Sequence, residues 1–183
     1  MLQRLVPSIL LMLLGLALAG PVSALQFNTA EVERHDAWQS MTLVLGEERL
    51  YRAAEGDSYG DSLFSVNYTP GACDAPWLEL RVDLGERQPE SRTVNRVPAD
   101  LRVDHETIHT GRGEFRVERG DSGFYVHFDL DDRPLLLDEL RRGETLRLRL
   151  MRGPDDPWFM VFALAGADAA MDRAQRACRA AVR

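Results

Sequence analysis

The chain has 183 residues, 45% of them apolar and 8% aromatic, with 22 basic residues against 29 acidic ones and only two cysteines. That composition excludes a disordered chain, a multispan membrane protein, a disulfide-dense miniprotein and a strongly basic nucleic-acid binder. Every basic residue is an arginine, and the arginines are spread over the whole length, so the choice of residue marks no particular site.

The first element in chain order is an export signal. Arg4 gives a positive start, an apolar run follows from Leu5 to Gly20, and Val22-Ser23-Ala24 places small residues where a signal peptidase cuts. The run is shorter than the roughly 20 residues a bilayer-spanning helix needs. Residues 1–24 are therefore expected to be a signal peptide cleaved after Ala24, and 25–183 a single exported β-rich domain in the periplasm or outside the cell. No linker or repeat divides the mature part. Its acidic balance without basic runs argues against nucleic acid and anionic lipid headgroups as partners.

Strands come next. Leu78, Leu80, Val82 and Leu84 alternate with Glu79, Arg81 and Asp83, and Phe124, Val126, Phe128 and Leu130 alternate with Tyr125, His127 and Asp129. Leu146, Leu148 and Leu150 alternate with Arg147 and Arg149. A period of two marks half-buried strands. Further strands are expected over 41–45, 49–53, 63–68, 93–103, 114–117 and 158–164, separated by Gly- and Pro-bearing turns. Short strands at this spacing predict a mainly β fold, an antiparallel sandwich or open barrel.

Two helices interrupt the pattern. One spans 134–142, with Pro134 at its start and Gly143 as its stop. The other, 167–181, sets Ala167, Ala170, Met171, Ala174, Ala177, Cys178 and Ala181 on one face, with Asp168 and Asp172 early and Arg176 and Arg179 late, as the helix dipole prefers. An Ala-lined face permits close approach to a sheet.

Cys73 and Cys178 both fall in the exported part, where oxidising conditions favour a disulfide. Closing a loop of about 100 residues restricts the unfolded chain by roughly 4 to 5 kcal/mol in the chain-entropy model. The bridge would fasten the terminal helix to the loop after Pro70-Gly71. The competing reading is one reactive thiol and one bystander, with no motif around either.

Among strings that resemble catalytic motifs the sharpest is His105-Glu106-Thr107-Ile108-His109, which matches the zinc metallopeptidase signature H-E-x-x-H. That chemistry needs a helix, because four residues of helix rise about 6 Å and bring both imidazoles to one metal. On a strand the two positions stand about 13 Å apart. Leu101, Val103 and the β-branched Thr107, Ile108 and Thr110 follow Pro98 and run into Gly111 and Gly113, which favours strand or turn. The alternative is a helix over 99–110, with Leu101, His105 and Ile108 on one face. In that reading Glu106 is the base and Glu139, on the first helix, the third zinc ligand; the metzincin continuation fails at Arg112 and Phe115.

Weaker strings follow. Gly56-Asp57-Ser58-Tyr59-Gly60 matches G-x-S-x-G, and Gly60-Asp61-Ser62-Leu63 the GDSL hydrolase string, but a nucleophile elbow requires a strand, the serine and then a helix in a parallel sheet. Gly120-Asp121-Ser122-Gly123 resembles the nucleophile string of trypsin-like proteases; His35 lies too near the mature start to be its partner, and a hairpin turn suits the sequence better. His127, with Tyr125 and Asp129, and the nearby Arg147 and Arg149 form outward rows that could be a ligand patch, although cross-strand ion pairing is the commoner use. Trp38, Trp77 and Trp158 could be core plugs or surface contacts.

Arg102-Val103-Asp104, Leu135 to Leu137 ahead of Gly143-Glu144-Thr145-Leu146, and Phe162-x-Leu164-x-Gly166 before the Ala-rich helix ending at Cys178 resemble small exported β-proteins of the type VI secretion accessory (VasI-like) kind, and more distantly the invasion-associated locus B kind. The resemblance covers about half of the mature chain. It implies a periplasmic β-sandwich with a disulfide-tethered terminal helix and no known active site.

The expected function is thus a periplasmic binding or interaction module whose partner is another envelope protein, with no catalytic residue, cofactor or metal. Its rivals are a zinc-dependent hydrolase using His105, His109 and Glu106, and a carrier of a small apolar ligand held between the strands.

Overall fold

The computed structural model of the chain describes residues 27–182, so the expected signal peptide lies outside the described residues. Ten strands form one antiparallel sheet: β1 Asn28–His35, β2 Trp38–Leu45, β3 Glu48–Glu55, β4 Ser62–Tyr68, β5 Trp77–Asp83, β6 Arg92–Val103, β7 His109–Val117, β8 Gly123–Leu130, β9 Thr145–Gly153 and β10 Asp156–Ala163. Two helices complete the fold, α1 Arg133–Arg142 between β8 and β9, and α2 Ala167–Ala180 after β10.

The strands lie in the order β1-β2-β3-β4-β5-β8-β7-β6-β9-β10. The sheet curls until its two ends meet, which makes it an open barrel, but no ladder joins them. Side chains and loops close the gap instead. Trp38 Nε1 donates to the Ala163 carbonyl at 2.8 Å, Ala37 N–H to Ala165 O at 3.2 Å, and the Val161 and Ala163 amides to Tyr59 Oη at 2.9 Å and Ser58 Oγ at 3.3 Å. Without them the Val161 and Ala163 amides and the Ala163 carbonyl would be unpaired on the edge of β10.

The curl follows from period two. Inward positions carry Leu78 and Leu80 of β5, Val126 and Phe128 of β8, and Leu146, Leu148 and Leu150 of β9, all buried. Phe64 stands at the centre, its ring centroid 6.4 Å from Trp38 of β2, 6.2 Å from Phe128 of β8 and 5.5 Å from Phe162 of β10. Strands remote from one another in the sheet order therefore meet around one ring. Truncating so central an aromatic costs about 3–5 kcal/mol.

Helix α2 lies over β1 to β4 through Ala167, Ala170, Met171, Ala174 and Cys178. Its small side chains let it approach closely, and the disulfide from Cys178 to Cys73, in the loop between β4 and β5, fixes it there. Gly166 caps its N-terminus at φ 88°, and a Cβ at that position would stand 1.8 Å from His35 O, so both the left-handed turn and the approach of the β1–β2 hairpin require glycine. Helix α1 starts where Asp132 accepts the Leu135 amide and stops at Gly143, and buries Leu136, Glu139 and Leu140.

Candidate functional site

The H-E-x-x-H string falls on the hairpin joining β6 to β7. His105 and Glu106 are exposed in the turn, whereas His109 is the first residue of β7 and is buried. The segment is turn and strand, not helix. His109 points inward, where its Nε2 meets Oε2 of Glu139 at 2.8 Å, with both side chains buried. The fold thus brings Glu139 to His109, as the zinc reading required, but leaves His105 in solvent, with its carbonyl and that of Glu106 held by the Arg102 guanidinium. Among the described residues no three His, Cys, Asp or Glu side chains gather as a metal site. What the string builds is a buried histidine–carboxylate contact that ties α1 to the start of β7.

The hydroxyl strings are likewise absorbed by turns. Ser58 lies in the loop between the antiparallel β3 and β4, and its Oγ donates to Glu55 Oε1 at 2.9 Å while accepting the Ala163 amide. Ser62 donates to Asp61 at 2.9 Å. Asp121, in the β7–β8 turn, accepts from the Gly123 amide at 2.6 Å, Tyr125 Oη at 2.6 Å and Arg81 at 3.2 Å. Burial works to raise its pKa, but these hydrogen bonds win and hold the Asp121 carboxyl below the usual range. Burial and the neighbouring Asp121 push the Tyr125 phenol up to about 12.

Glu55 itself is fully buried at the barrel seam. Its Oε1 takes the Ser58 amide and hydroxyl and the Asp57 amide, while Oε2 has no partner. Burial raises its pKa, only partly offset by the bonds from Ser58 and Asp57.

The outward face of β3, β4, β5 and β8 carries the most organised polar cluster. Arg52 donates through Nε to Asn67 Oδ1 at 2.6 Å and through Nη2 to Glu79 Oε1 at 2.8 Å. Asn67 donates to Ser65 Oγ at 3.1 Å, and His127 Nε2 meets Glu79 Oε2 at 3.0 Å. Ser65, Asn67 and Glu79 are buried beneath this layer, whereas His127 and Trp77 are half-buried at its surface with ring centroids 4.9 Å apart. The row continues across the sheet, since Glu79, His127, Glu114 and Arg96 are register partners in succession. Of this cluster the sequence singled out only His127 and left Trp77 undecided. Arg52, Asn67 and Glu79 were missed because β3, β4 and β5 supply them, and only their outward phase on three alternating strands could have signalled them.

The tryptophans divide. Trp38 is a core plug, while Trp77 and Trp158 are half-buried, Trp158 beneath Arg152 at 5.8 Å.

The positions behind the family resemblance also have a structural meaning. Asp104, at φ 44°, accepts the amides of Glu144 and Thr145 at 2.9 Å each, and its carbonyl takes Arg147. A Cβ at Gly143 would stand 2.1 Å from Val103 Cγ1. The two segments are thus one corner between β6 and β9.

No protein-family model matches the sequence, and no curated protein matches it. Among solved structures, the fold is similar to that in the crystal structure of invasion associated protein B from Bartonella henselae. That protein superposes at a TM-score of 0.55 with 16% sequence identity, over 82% of this chain and 99% of that one. The likeness read in the C-terminal half therefore extends, as a likeness of fold, over most of the molecule.

Proposed function

We propose that the protein is exported to the cell envelope and acts there as a non-enzymatic binding module for another envelope protein, with Trp77 and His127 at the contact. The observation that carries this is the rigid base under those two rings. Arg52, Asn67, Ser65 and Glu79 satisfy one another beneath the surface, so a half-exposed aromatic pair is held in one orientation, which lowers the ordering cost of binding. Tryptophan is also the residue type in which binding energy concentrates at interfaces. Export is supported by the apolar leader, by the disulfide, which persists in oxidising compartments, and by the fold shared with an invasion associated protein.

The test is affinity capture from solubilised envelope with the disulfide-bonded protein as bait, beside Trp77→Ala and His127→Ala baits. One envelope protein should be retained by the parent and lost from both variants. Equal retention by all three baits, or none by the parent, would contradict the assignment.

A further inference from the structure

The outward side of β7, β6 and β9 has a charge opposite to that of the chain. Arg112 and Arg116 of β7, Arg96 and Arg102 of β6, and Arg147 and Arg149 of β9 face outward there, against the carboxylates of Asp100 and Glu114. Arg149 pairs with Asp100, and Arg96 and Arg116 both with Glu114. Arg102 and Arg147 donate instead to the backbone carbonyls of His105, Glu106 and Asp104, and no carboxylate among the described residues stands within 4.0 Å of either guanidinium. A depression of about 330 Å³ lies between Arg96 and Arg112, lined by Val97, Pro98 and Gly111. Acidic groups stand at the rim, Asp129 of β8 opposite Arg112, and Asp104, Glu106 and Glu144 at one end. On the other border β10 adds Phe159, 64% exposed and paired across the ladder with Arg149, and Val161, 47% exposed and paired with Arg147.

We propose that this face is a peripheral docking surface for a membrane of anionic phospholipid, with the arginines on the phosphates and Phe159 and Val161 entering the headgroup boundary. Guanidinium forks match phosphate oxygens, and cations beside exposed apolar side chains are the pattern of proteins that lie on a bilayer rather than span it. Protein interfaces place their apolar residues at the centre and polar ones at the rim. Here the cations are central and the apolar row forms one border, which suits a layered surface better than a protein patch. The net charge of −7 over the whole chain means that the rest of the molecule is repelled by the same membrane, so this face alone is turned toward it. The proposal does not rest on the protein-binding reading, whose contact residues Trp77 and His127 lie on β5 and β8, although the two surfaces adjoin at Glu114.

The test is co-sedimentation of the disulfide-bonded protein with vesicles of phosphatidylcholine containing phosphatidylglycerol, beside vesicles of phosphatidylcholine alone. Binding is expected only to the mixed vesicles and should fall as salt rises. Arg112→Gln and Arg147→Gln should each lower the partition coefficient about fivefold, the equivalent of about 1 kcal/mol per arginine. Phe159→Ser should lower it as well, whereas Arg176→Gln, on α2, should leave it unchanged. No binding to the mixed vesicles, equal binding to both kinds, or an equal loss with Arg176→Gln would overturn the proposal. So would binding to soluble polyglutamate without binding to vesicles, which would assign the face to an acidic protein instead.

Discussion

The 2.8 Å contact between His109 Nε2 and Glu139 Oε2 shows how one residue pair can be read in two ways. In sequence both belonged to a metal hypothesis; in the fold they satisfy each other in a buried place, where a lone polar group would be costly. The arrangement at Glu55 is less complete. Its Oε1 has three donors and its Oε2 none, and burial raises its pKa from the ordinary value of 4.5. The folded state therefore holds the proton more tightly than the unfolded state does. Glu55 then contributes its full stability below the ordinary carboxylate range, and that contribution is lost as pH rises from about 4.5 through the raised value, at about 1.4 kcal/mol per unit of displacement. Glu55→Gln, which cannot ionise, should gain on the parent over that interval. Urea midpoints of the two proteins across mildly acidic to neutral pH check this, and a difference, the Glu55→Gln midpoint minus that of the parent, that stays constant or falls with rising pH would refute it. None of this was legible in the sequence, because Glu55 closes a strand whose alternation gives no sign that a barrel seam lies there.

At the level of elements the sequence was informative wherever burial is one-sided. The alternation over 78–84, 124–130 and 146–150 corresponds to β5, β8 and β9, and the Ala face of 167–181 to α2. β1 was not seen, because as an edge strand with a bulge at Glu31 it buries almost nothing, and NTAEVERH has no period to detect. The first residues of β7 were hidden by Gly111 and Gly113, which read as a turn in the sequence but lie within the strand. Gly166 entered only as part of a family pattern, and its reason, contact with His35 O, is visible only in three dimensions. The tether of α2 gives an element-scale prediction. Cys73→Ser/Cys178→Ser should lose roughly 4 to 5 kcal/mol of unfolding free energy, measured by urea denaturation, since the bridge closes a sequence separation of 105 residues. An unchanged midpoint would mean that packing of Ala170, Met171 and Ala174 alone holds the helix.

Across the whole molecule, the fold class was legible and the surface was not. Inward positions recur as leucine, valine and phenylalanine, so an antiparallel barrel or sandwich could be read from them. The arginines of β6, β7 and β9 alternate with those apolar residues and never form a basic run, and the whole-chain charge suggested no basic face. Only the strand order lays them side by side. The cluster of Arg52, Glu79 and His127 has the same origin, with three strands contributing one outward residue each. The β6–β7 hairpin parts His105 from His109, leaving one in solvent and the other buried against Glu139. Zinc analysis of the purified mature protein after incubation with excess zinc and gel filtration tests this directly. Retained zinc should be well below one ion per chain and the same in His105→Ala; one ion per chain, lost in that variant, would contradict the account.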